Sequence, residues 1–105
     1  MSQQGAERRR NPRYRCSAPV EVEWGSEILR FTASDISTSG MFVATENPLW
    51  MRAEFTARIL ADEPVPVECT VRRVEPGRGM GLEFGTPSPE TQKALDALLW
   101  KLAGK

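Results

Sequence analysis

Between Val20 and Phe84 apolar residues keep returning at every second position, in segments too short for most helices and separated by turn residues. Val20, Val22 and Trp24 share one face against Glu21 and Glu23, and Gly25-Ser26 closes the run. ILRFTASD (28–35) and MFVAT (41–45) follow, divided by the small-residue stretch STSG. After a loop marked by Asn47-Pro48, EFTARIL (54–60) sets Phe55, Ala57 and Ile59 on one side, and Ala61 to Pro64 turn the chain. VPVECTVRRVE (65–75) puts Val65, Val67, Cys69 and Val71 inward and Glu68, Thr70 and Arg72 outward. Pro76-Gly77 breaks that run before Met80, Leu82 and Phe84 align. Six short strands joined by turns predict a mostly-β chain, an antiparallel sheet curled into a small barrel over about residues 14–85.

The period then changes. Ser88 as N-cap, Pro89 at the first helical position and Glu90 in the first turn start a helix over about 88–103. Leu95, Leu98, Leu99 and Leu102 form one stripe, which must be buried, and the barrel is the surface available; Gly104 stops the helix. Of the three tryptophans, Trp24 is expected in the core, Trp50 in a loop, and Trp100 off the leucine stripe and partly exposed.

Composition removes several functions. The chain has 105 residues, enough for one modest core, and no histidine, so the commonest general base and metal ligand is missing. No P-loop is present, and GRGMG lacks the GxGxxG spacing. Asp35, Asp62 and Asp96 fall in unrelated segments, so no carboxylate pair announces itself; a non-enzyme without cofactor or metal is expected. Cys16 and Cys69 are too far apart for a metal-ligand pattern and read as small hydrophobes in a reducing compartment. No apolar run reaches the ~20 residues of a membrane span and the start lacks an apolar leader, which predicts a cytoplasmic protein.

Residues 1–7 are small and polar and read as a flexible arm. ERRRNPRYR (7–15) then holds five arginines and no lysine, in a chain of formal net charge zero. Solvation alone would be served as well by lysine; arginine suggests a flat partner with several acceptors. Taken alone, Ser-Thr-Ser-Gly at 37–40 would be a turn before a strand and Asp35 a capping side chain.

Together, the two segments resemble the PilZ domain family, characterised by RxxxR followed by (D/N)xSxxG. Arg9 and Arg13 supply the first motif and Asp35-Ile36-Ser37-Thr38-Ser39-Gly40 the second, with 21 residues between Arg13 and Asp35. GMGLEF followed by a helix is similar to the end of that fold, so the resemblance covers roughly residues 8–103, and a PilZ-type domain over 8–105 is expected. It implies a receptor for the bacterial second messenger cyclic di-GMP, with motility or biofilm regulation as its setting. The implied ligand-binding residues are Arg8, Arg9, Arg13, Asp35, Ser37 and Gly40.

The chemistry agrees with that implication. A guanidinium meets guanine O6 and N7 with two parallel bonds, stacks on a purine and neutralises phosphate. Asp35 would accept from guanine N1–H and N2–H, Ser37 would donate to phosphate or a neighbouring backbone group, and Gly40 would allow positive φ or close backbone approach. In the family an arginine before RxxxR, here Arg8, goes with an intercalated pair of ligands. Arg10 and Arg15 match no motif position. An effector protein is implied as partner, since the sequence shows no output domain. Two other readings stand beside this one: a PilZ-type adaptor independent of nucleotide, and a barrel for RNA or single-stranded DNA. Against the last, the chain is neutral and Glu21, Glu23, Glu54, Glu68 and Glu83 decorate outward faces, so no nucleic-acid polymer is expected.

Overall fold

The computed structural model describes residues 12–104. The arm expected over 1–7, and Arg8, Arg9 and Arg10, lie outside the described residues. Six strands run in the order β1 (Tyr14–Trp24), β2 (Glu27–Ile36), β3 (Gly40–Ala44), β4 (Glu54–Ile59), β5 (Val65–Glu75) and β6 (Gly79–Phe84). They close a barrel in the cyclic order β1-β2-β3-β6-β5-β4, every neighbouring pair antiparallel. Closure leaves no unpaired edge.

Alternation fills the interior as expected. Val20, Val22, Ala57, Ile59, Val65, Val71 and Met80 are almost wholly buried and belong to one cluster. β1 begins six positions before Val20, earlier than the apolar pattern suggested. Its first half does alternate, but its inward residues are Tyr14, Cys16 and Ala18, two of them small and only partly buried, so hydropathy barely marks them. Trp24 also departs from expectation. It is half-buried, with Phe55 edge-on at 6.1 Å and Trp50 edge-on at 5.1 Å between ring centroids, and Trp50 itself is 63% exposed.

The closing helix α1 (Pro89–Leu102) starts as its sequence requires. The Thr91 N–H donates to Ser88 Oγ at 3.1 Å, Pro89 fills the first turn, and Gly104 ends the helix with φ 82°. Leu95, Leu98 and Leu99 bury against the barrel, on the side of β1 and β5, while Trp100 is 64% exposed. Removing a side chain such as Leu95 costs about 2–5 kcal/mol, so the helix is part of the core. Lys101 pairs with Asp62 on the β4–β5 connection. No helix among the described residues is long and apolar enough to cross a membrane.

Candidate functional site

The DISTSG segment is the β2–β3 turn. Asp35 and Ile36 end β2, and the pairing is irregular on both sides of them: between Arg15 and Ala18 against β1, and between Ala33 and Asp35 against β3. Ile36 and Ser37 are fully buried, whereas Asp35 keeps 28% of its side chain exposed. The turn thus anchors itself on two interior side chains and presents the carboxylate outward.

Ser37 holds the turn closed. Its Oγ accepts from the backbone N–H groups of Ser39 and Gly40, each at 3.2 Å, and lies 3.3 Å from the Gly40 carbonyl and from Ser39 Oγ. The Ser37 N–H donates to the Gly40 carbonyl at 2.8 Å, and the Phe84 N–H to the Ser39 carbonyl at 2.8 Å, tying the turn to the end of β6. The neighbouring backbone, one of the two partners expected for this hydroxyl, is within its reach.

Gly40 is required by close approach. It is not among the residues with positive φ, and a Cβ on it would lie 2.1 Å from the Leu82 carbonyl oxygen. That contact is with backbone of the paired strand, which no side-chain rotation can relieve.

Arg13, just ahead of β1, reaches this turn. Its Nη2 stands 2.7 Å and its Nε 2.9 Å from the same oxygen, Asp35 Oδ1. Of the six residues expected to bind ligand, Arg13, Asp35, Ser37 and Gly40 are therefore brought to one corner of the barrel. Arg8 and Arg9 lie outside the described residues.

A groove of about 430 Å³ opens beside this corner, with Arg13, Ser39, Gly40, Arg72, Arg73 and Glu83 on its walls. Arg72 and Arg73 come from β5 and were not singled out from sequence; two consecutive charged residues in a strand that otherwise alternates were the available signal. A larger groove, about 660 Å³, runs between α1 and the start of β5. Its ionisable lining is Glu63, Glu90 and Lys93, a balance unsuited to an anionic ligand, so the smaller, arginine-lined groove is the better site.

The cysteines take no part in it. Both are free, and burial pushes the Cys16 thiol up and the Cys69 thiol to about 12, so each is a neutral hydrophobe at physiological pH. Among the described residues no group of three or more acidic or cysteine side chains is placed to hold a metal ion.

Barrel, capping helix, glycine-locked turn and arginine-lined groove together define a small β-barrel domain with an arginine-lined corner. The sequence profile of the PilZ domain matches residues 7–100, and the chain belongs to that family. Solved structures share its fold. The PilZ domain of Escherichia coli YcgR, determined with c-di-GMP, superposes with a TM-score of 0.78 at 16% identity, covering 91% of this chain and 92% of that one. The Bacillus subtilis inhibitor of motility MotI/DgrA gives 0.74 at 22% identity over 93% of this chain and 52% of that one. MrkH of K. pneumonia, in complex with c-di-GMP, gives 0.76 at 20% identity over 90% and 51%. The chain thus spans about half the length of the last two. No curated protein sequence matches it.

Proposed function

We propose that this chain is a cyclic di-GMP receptor that changes its surface when the ligand binds and signals to a partner protein. The observation that carries this reading is the meeting of Asp35 with Arg13, one from each motif, where Arg13 lines the arginine-rich groove. Guanine needs both kinds of group: a planar donor fork for O6 and N7, and a carboxylate for N1–H and N2–H. The structures of YcgR and MrkH with c-di-GMP support carrying that ligand to this fold.

Arg13 already meets Asp35 without ligand, so binding would exchange that pair for contacts with guanine and phosphate and add those of Arg9. The bound and free proteins then differ in the surface around that turn, which is what a partner can sense. The chemistry is recognition and not catalysis: no bond in the ligand needs to change.

Isothermal titration of the full chain with cyclic di-GMP tests the reading. Saturable heat that is lost in Arg13→Ala and Asp35→Ala supports it. A chain that binds no cyclic di-GMP would act as a nucleotide-independent adaptor instead, and the receptor reading would fall.

A further inference from the structure

Strict alternation along β5 would turn Arg73 into the barrel, because Val71 two positions earlier is fully buried. The pairing with β6 prevents this. Val71 opposes Leu82, but Arg73 opposes Gly81, so two residues of β5 advance while β6 advances one. Arg72 is the extra residue of a β-bulge. Both arginines therefore emerge on the outer wall, with 60% and 65% of their side chains exposed.

Each is held in a defined way. Arg72 Nε lies 2.6 Å from Glu83 Oε1. Arg73 Nε lies 3.1 Å from Glu75 Oε2, and its guanidinium carbon stands 5.6 Å from the centre of the Phe42 ring. Beneath it, Gly81 leaves the β6 backbone bare: a Cβ there would touch the Arg73 side chain along its length, 3.5 Å from Cβ and 3.9 Å from Cζ. The Arg73 side chain is thus laid along the barrel, across Gly81 and next to Phe42. A guanidinium braced by an aromatic ring on the barrel wall offers a flat cationic surface to the groove.

The arginines suit the same ligand. Arg13, Arg72 and Arg73 line the groove together, each paired with one exchangeable, partly exposed carboxylate (Asp35, Glu83 and Glu75), so three guanidinium groups can turn to a ligand with two phosphates. We propose that Arg73 is the platform on which a guanine base of cyclic di-GMP stacks, and that Arg72 neutralises phosphate on the same wall. This inference rests on the receptor reading. It adds to the two motifs a further set of contacts, from β5, on the groove that Arg13 also lines.

Titration of four proteins with cyclic di-GMP tests it: the wild type, Arg73→Ala, Arg73→Lys and Arg72→Ala, each first checked for an unchanged thermal transition. Lysine keeps the charge at 73 and removes the plane, so it separates stacking from simple attraction. Arg73→Ala and Arg73→Lys should each lose about tenfold to a hundredfold in affinity, the range for one stacked base. Arg72→Ala should lose less and show a shallower dependence of affinity on salt. Wild-type affinity in Arg73→Lys would overturn the stacking platform, and wild-type affinity in Arg73→Ala would remove β5 from the site. Either result would leave the receptor reading standing. A wild type that gives no heat would overturn the receptor reading itself, and this inference with it.

Discussion

Arg13 and Asp35 stand 22 positions apart in sequence and meet at 2.7 Å, both guanidinium contacts falling on a single carboxylate oxygen. Arg13 is 47% exposed, so the pair lies in water and contributes about 0–1 kcal/mol to the fold. Its value is in position: it sets a donor fork and an acceptor side by side. Arg13→Ala and Asp35→Ala should each weaken cyclic di-GMP binding by about tenfold or more, from the ~1–3 kcal/mol of a specific base contact. Their melting temperatures should stay within a few degrees of wild type. Arg15→Ala is the control. Arg15 opposes Asp35 in the β1–β2 register without an ion pair between them among the described contacts, and its loss should matter less. Equal effects of all three substitutions would reduce the arginines to a diffuse field.

Base identity gives a second measurement. Adenine presents an amino donor where guanine has O6, so a guanidinium fork there faces a donor with nothing to accept. Cyclic di-AMP should bind more weakly by ~1–3 kcal/mol per base. Competition of cyclic di-AMP, GMP and GTP against bound cyclic di-GMP measures this directly. Comparable affinity for the adenine analogue would show that charge, and not the guanine edge, is being read.

Ser37 and Gly40 should behave differently from Arg13 and Asp35, because they act through the turn. Ser37→Ala leaves the buried Gly40 N–H and the part-buried Ser39 N–H without this acceptor, and the buried one alone costs about 1–3 kcal/mol. Gly40→Val should be worse, since even its first carbon would have to displace the Leu82 carbonyl and part β3 from β6. Urea unfolding should show both losses without ligand present. A Ser37→Ala protein of wild-type stability that fails to bind would instead place the hydroxyl on the ligand.

The sequence made most of the barrel legible because its inward residues are mostly β-branched or larger where alternation is strict, as along Val65, Val67 and Val71. Legibility failed where physical signals were weak or broken. The first half of β1 hides behind Cys16 and Ala18, too small to mark an apolar face. Arg73 was hidden by a bulge, where one strand advances two residues against one and the break in alternation at Arg72-Arg73 is the mark it leaves in the sequence. At the site, the motif residues could be named, but the reason for Gly40 could not. Positive φ and close approach both call for glycine, and only the position of the Leu82 carbonyl decides between them.

Cys69 makes stability depend on pH in a defined window. Burial, with a smaller contribution from the charge of Glu68, raises its thiol from the usual 9.0 to about 12 in the folded chain. The folded state therefore holds its proton more tightly than the unfolded state. Below pH 9 both states are protonated and the thiol's full contribution is present. Above that, the unfolded chain releases its proton first, and stability falls as pH climbs toward the folded value. The decline from this group is on the order of 1.4 kcal/mol per pH unit within that window. Cys69→Ala loses buried volume at every pH but cannot titrate. Urea unfolding from pH 7 to 11 should show the wild type more stable by a constant margin up to about pH 9, with that margin shrinking above it. A margin that stays constant to pH 11 would mean that the Cys69 thiol ionises no more readily in the unfolded chain than in the barrel.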